Sequence, residues 1–333
     1  MISSIKAFGK FLDQPMLIST LNKHMPKIVS TGAVMYLGYD YYKNSNNNKD
    51  AGRKLEYNKN FLKKTFILAG SILSAFMAPK IASAITKRAI LPSFDKVKND
   101  NINLIDNFIS SSKLDDKTTE ILNSAKEKPL SFKKVKFLND KFKNDEKGSE
   151  FFKKFIPDPE NIKAKDIFSE IGYLSIYGAV PVIGGIASGI AADGVDNPKT
   201  IKEKIPDKIN EGLYQYLANI FMCNVGAGAA LGILEKLNIT SKTARALGMT
   251  AGIILTGVLG GAKIANTISK KIINPFLSKN NKLKERKPEP MDLCMHTDDI
   301  ATVSLLSGLK WIEPSLPILY SVSGYKAGMG YRN

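Results

Sequence analysis

Three stretches of the chain hold side chains that could do chemistry. The first is "LKWIEPSLP", Leu309–Pro317, which sets Lys310 and Glu313 three residues apart on one helical face of an apolar run. Inside a membrane span such a pair marks a solute or ion path, above all where prolines break the helix. At a bilayer surface the same residues form a headgroup-level pair with Trp311 as aromatic anchor, and this is the plainer reading. The second is "CMHTDD", Cys294–Asp299, a thiol, an imidazole and carboxylates together. Zinc takes about four ligands, usually from two separated pairs. The other cysteine and histidine, Cys223 and His24, supply no second pair. The stretch therefore reads as a polar lead-in with Asp298 or Asp299 as helix N-cap, and Cys223 as an inert, small apolar residue. The third, "VGAGAALG" at Val225–Gly232, resembles a dinucleotide fingerprint. Its spacing is Gly-x-Gly-x-x-x-Gly and its flanks read as one apolar helix, so its outer glycines suit helix packing instead. No nucleophile, base and acid fall into one arrangement. The expectation is a protein that is not an enzyme and carries no cofactor and no metal.

The elements that must position these residues are mostly greasy. Six segments are apolar and nearly uncharged: Ile28–Tyr42, Phe66–Thr86, Ile171–Ala192, Leu213–Leu234, Ala246–Ala262 and Ile300–Ser323. A bilayer core needs about 20 such residues as helix, so the third to fifth suffice. The second and sixth suffice if their lysines reach the interface, and the first is short. Glycines at four-residue spacing separate membrane from soluble helices. Gly185 and Gly189, Gly228 and Gly232, Gly248 and Gly252, and Gly257 and Gly261 would weaken a helix in water by about 1 kcal/mol each. In lipid, small residues four apart let helices approach closely. The expected fold class is all-α, a polytopic helical membrane protein of five or six spans.

Two phrases suggest how it is built. Pro79–Pro92 reads "PKIASAITKRAILP" and Ala262–Pro275 reads "AKIANTISKKIINP". Each follows an apolar run and looks like a helix leaving a bilayer, with Lys80 or Lys263 snorkelling to headgroups and a proline at the end. Upstream of them stand "GAVMYLG" and "GAGAALG"; downstream, segments opened by Asp166 and Asp299 carry central prolines, Pro181 and Pro317. The common order implies an internal duplication of a three-helix unit, which with an odd number of spans becomes an inverted repeat of the kind many transporters use.

The domain reading is residues 1–86 with the first two apolar helices, a basic amphipathic helical insert at 87–166, the third apolar helix at 167–193, and a second three-helix unit at 194–333. Net charge is +17, carried by lysine; arginines stand only at positions 53, 88, 245, 286 and 332. Arginine is the residue that forks onto phosphate and stacks on bases. The lysines therefore point to an anionic lipid bilayer rather than nucleic acid, with a protein partner for 87–166 and a homo-oligomer both allowed. No cleavable leader is evident, and the basic flanks balance, so the expectation is a multi-pass membrane protein of undetermined orientation. Its expected role is structural or scaffold-like. The alternatives are a small inverted-repeat transporter or channel, and a soluble all-α partner-binding protein.

Overall fold

The computed structural model describes residues 2–45, 51–157, 163–277, 285–290, 292 and 313–331. They are helical almost throughout, with no strand among the described residues. The chain divides into two compact units: Met1–Pro26, Leu91–Ile162 and Asp298–Ser315 in the first, and Lys27–Ile90, Lys163–Thr297 and Leu316–Asn333 in the second.

The first unit holds α1 (Ile2–Leu12), the start of α2 (Pro15–Ser45), α4 (Phe94–Ser111), α5 (Asp116–Ala125), α6 (Phe132–Phe142) and α7 (Glu146–Phe155). Its polar stretches become helices because short side chains begin them. Ser93, Asp115 and Asp145 each accept a backbone N–H from the first turn that follows. Apolar residues at helical spacing then meet in one core of Ile105, Phe108, Leu122, Val135, Leu138, Phe142 and Phe151. Phe108 stacks flat on Phe151 with centroids 3.9 Å apart. The first 26 residues belong here and not with the apolar helices that follow them in sequence. Phe11 packs edge-on against Phe132, and the Gln14 amide both donates to the Leu130 carbonyl at 3.0 Å and accepts the Leu130 N–H at 2.8 Å.

The second unit is a bundle of long helices: the rest of α2, α3 (Ala51–Thr86), α8 (Ala164–Asp196), α9 (Ile201–Tyr216), α10 (Met222–Lys236), α11 (Lys242–Gly252), α12 (Ala262–Ile268), α13 (Asn274–Leu277) and α14 (Leu316–Met329). π-helical stretches join several of these end to end: Leu217–Phe221 between α9 and α10, Ile253–Gly261 between α11 and α12, and Ser269–Ile273 between α12 and α13. Among the described residues four helices are long and apolar enough to cross a membrane, Glu56–Thr86, Ala164–Asp196, Pro198–Lys236 and Ala244–Leu277. Segment one lies in α2, which is not among the four. Segment six is described only from Glu313, through a 3-10 turn at Glu313–Ser315 into α14, whose 14 residues are too few for a crossing by themselves.

The contacts between helices fix their directions. Gly70 meets Ser188 while Ser74 meets Gly184, so α3 and α8 are antiparallel. Gly212 meets Ile186 and Gly178 meets Ile220, so α9–α10 returns antiparallel to α8; Gly226 on Gly252 and Gly261 on Ala218 reverse the chain again. α14 breaks the alternation. Gly324 lies on Gly185 and Gly328 on Gly189, so α14 runs parallel to α8. An inverted duplicate would place these two antiparallel.

The twin phrases also diverge. The first ends α3 at Thr86, with Lys87 at φ 58° and the Ser83 hydroxyl donating to the Arg88 carbonyl. The second stays helical past its proline to Leu277, the π turn at Ser269–Ile273 resetting the hydrogen-bond register just before Pro275.

Candidate functional site: two buried charge clusters in the second unit

The first cluster gathers on Asp193, near the end of α8 and wholly buried. Lys63 of α3 pairs with its Oδ1, Lys208 of α9 approaches Oδ2 at 3.0 Å, and the more exposed Lys204 stands 3.4 Å from Oδ1. Lys208 also donates to the Gly328 carbonyl in the last turn of α14. A cation there complements the free carbonyls and the negative end of the helix dipole. One carboxylate thus ties together α3, α8 and α9, and α9 is tied in turn to the end of α14.

The second cluster begins with a row on α9. Glu211, Gln215 and Asn219 stand four residues apart, the last in the π stretch, and all three are buried. Asn219 Nδ2 donates to Gln215 Oε1 at 2.9 Å, and Gln215 Nε2 donates to Glu211 Oε1 at 2.7 Å. The free side of Glu211 receives Arg286, whose Nε lies 2.8 Å from Oε2. Arg286 comes from a strap without regular secondary structure, residues 285–289, whose backbone is held by the Asn266 amide: Nδ2 donates to the Arg286 carbonyl and Oδ1 accepts its N–H, both at 2.9 Å. The guanidinium also lies 3.2 Å from Asp292, and over Tyr214 and Tyr331 at 4.4 and 5.1 Å from their ring centroids. Lys326 of α14 closes the group with 2.8 Å to Asp292 and 3.2 Å to Glu289. Burial pushes the Asp292 carboxyl up, but the Lys326 hydrogen bond, the Glu289 N–H and the nearby Lys326 and Arg286 charges pull it further down, below its ordinary range. Burial disfavours the Arg286 charge too, and Glu211 with Asp292 more than offsets that.

The residues singled out from the sequence fall elsewhere. Lys80 and Lys263 are exposed on α3 and α12, while Pro181 and Pro317 are buried on α8 and α14. Glu313 is half-buried in the 3-10 turn; Lys310, Trp311 and Cys294–Asp299 lie outside the described residues. A Cβ on Gly185 or Gly189 would strike α14 backbone, on Gly252 the Gly226 carbonyl, and on Gly261 the Ala218 backbone. On Gly248 and Gly257 it would meet Leu234 and Cys223, and on Gly228 the Phe168 ring at 3.0 Å, whereas Gly232 has ordinary room, its nearest neighbour being Ala164 Cβ at 3.5 Å. Among the described residues no group of three or more His, Cys, Asp or Glu could hold a metal ion.

Neither charge cluster was singled out from the sequence. The i, i+4 row of Glu211, Gln215 and Asn219 running into an apolar segment was a usable signal, as was Arg286, one of very few arginines.

These features define a class: an all-helical bundle with four apolar helices that could be transmembrane, consistent with a membrane location. No family model, curated protein or solved structure matches the chain.

Proposed function

We propose that the chain is a non-enzymatic, multi-pass membrane protein of scaffold type, anchored by the second unit, whose lysine-rich elements meet anionic lipid or an acidic partner. One observation carries this reading. The bundle buries a set of charged side chains while it leaves many large apolar ones exposed. Asp193, Lys208, Glu211, Arg286 and Asp292 are buried, while Leu62, Phe66, Leu73, Ile183, Ile233, Leu247, Leu255 and Leu259 are each more than half exposed. In water that distribution leaves a large apolar surface without a partner; in lipid it is the low-energy arrangement. The exposed Val34, Met35, Tyr39 and Tyr42 of α2 extend the same girdle, and α2 is then the fifth crossing. Carbonate-resistant membrane association, with flotation on vesicles that rises with anionic lipid, is the expected result. A chain that stays monodisperse in buffer without detergent overturns the reading in favour of the soluble alternative.

A second reading, a small transporter, has one observation in its favour: the buried polar row on α9, since ionisable groups within membrane bundles mark solute and ion paths. The parallel course of α8 and α14 counts against its inverted-repeat form for the third pair of elements, whereas α3 and α11–α12 run antiparallel, as an inverted pair would.

A further inference from the structure

The Arg286 strap sits on the surface except where it is driven inward. Its described neighbours, Glu285 and Lys287 to Pro290, are exposed, while Arg286 itself is 1% exposed. The Glu211 side of the receiving wall is oriented from within α9, while Asp292 also accepts from Tyr214 and Asn219 at 3.3 and 3.4 Å. Gln215 and Asn219 hold Glu211 from behind through a chain of hydrogen bonds along α9, so one carboxylate edge faces the guanidinium already oriented. Tyr214 offers its face 4.4 Å from the guanidinium carbon, and Tyr331 offers a second ring beyond α14. A carboxylate edge between aromatic faces is chemistry for a planar, delocalised, weakly hydrated cation. The guanidinium is one of several fastenings of the strap. Asn266 grips the Arg286 backbone, Lys326 binds Asp292 and Glu289, and the Glu289 N–H donates to Asp292 at 2.7 Å. A buried ion pair is also a costly fastener, worth no more on average than apolar packing of the same volume.

We propose that the cage of Glu211, Tyr214, Gln215 and Tyr331 is a binding site for small organic cations bearing a guanidinium group, which Arg286 fills from within the chain until a free ligand displaces it. The inference needs only the bundle of the second unit, whether lipid or solvent surrounds it. Its failure is therefore distinct from failure of the membrane reading. A tethered occupant competes at an effective concentration on the order of millimolar, so the ligand must be offered in that range.

The probe is methylguanidinium, added to the full chain in detergent, with ethylammonium and sodium chloride as controls of equal ionic strength. Hydrogen exchange reads the strap directly, because the Arg286 and Glu289 amides are held by Asn266 and Asp292. Methylguanidinium should speed exchange of these amides saturably, with neither control doing so. Unchanged exchange, or equal acceleration by all three salts, overturns the proposal. Saturation-transfer NMR supplies a second readout on the unmodified chain and on Arg286→Ala. Removing the internal competitor should tighten methylguanidinium binding by roughly tenfold, the factor for a cage free about one part in ten. No transfer signal in either form overturns the proposal as well.

Discussion

Gly185 of α8 and Gly324 of α14 lie backbone to backbone, so that a Cβ built on Gly185 would fall on the Gly324 carbonyl. The relation repeats one turn on at Gly189 and Gly328. It lets the short helix α14 lie against α8 over two successive turns. Only the absence of a Cβ at all four glycines allows the approach. Gly172, on the same helix α8, has nothing within 4 Å of its Cβ position. The pair gives a matched test. Gly185→Ala should destabilise the bundle by about 2 kcal/mol, the cost of overpacking against backbone that cannot retreat. Gly172→Ala should be neutral or up to about 1 kcal/mol stabilising. Melting in detergent measures both, and equal melting temperatures would remove the close approach from the account.

The Asp193 cluster predicts non-additivity. Asp193→Ala leaves Lys63 and Lys208 buried without their carboxylate, at about 3 kcal/mol or more. Adding Lys63→Met to Asp193→Ala removes one stranded charge, and the double variant should be more stable than Asp193→Ala alone. A double-mutant cycle in detergent measures the coupling; additive effects would mean that Lys63 and Asp193 do not interact.

Asp292 predicts an acid limb. Its folded pKa is depressed by Lys326 of α14 and Arg286 of the strap, against the opposing pull of burial and with Tyr214 and Glu289 nearby. The stabilisation it supplies is thus complete above its unfolded value of about 3.9 and is lost as pH falls through the lower, folded value. Melting temperatures of the unmodified chain and Asp292→Asn, compared from pH 7 to pH 3, should differ by a constant amount above about pH 5 and begin to draw together below about pH 4. A gap that closes between pH 5 and 7 would mean the carboxyl is raised rather than depressed.

What the sequence announced was mostly local. Runs such as Ile171–Ala192 are long enough and apolar enough to read directly as α8, and the alternation of charge and phenylalanine from Phe94 to Phe155 reads as short amphipathic helices. Long-range chemistry was hidden for a physical reason. Arg286 and Glu211 are 75 residues apart in sequence, and Lys63 and Asp193 are 130 apart. Each alone looks like an ordinary solvated charge. The apolar reading of segment four starts at Leu213, yet the π turn at Leu217–Phe221 joins it without a break to the polar α9 before it. The similarity of Pro79–Pro92 to Ala262–Pro275 misled about endings, because Ser83 turns back on Arg88 where Asn266 reaches out to the strap. Lys310 and Glu313 drew attention as the ionisable pair of a greasy segment, whereas the buried pairs lie where apolar segments give way to polar ones.

The same amide device appears in the first unit, and there it predicts a stability effect of its own. Gln14 holds the lone residue Leu130 by both backbone groups, as Asn266 holds Arg286. Leu130 lies between α5 and α6 and has no helical partner for either group, and its side chain is buried. Replacing Gln14 by alanine strands a buried N–H and a buried carbonyl together, which costs about 2 kcal/mol. Glutamate at the same position can accept the N–H but cannot donate to the carbonyl, so Gln14→Glu should also destabilise. Exchange of the α5–α7 amides should rise by about thirtyfold in Gln14→Ala, the factor for that free energy when opening of the unit limits exchange. If those amides keep their protection while only Leu130 itself exchanges faster, the clasp secures a turn and not the packing of the first unit.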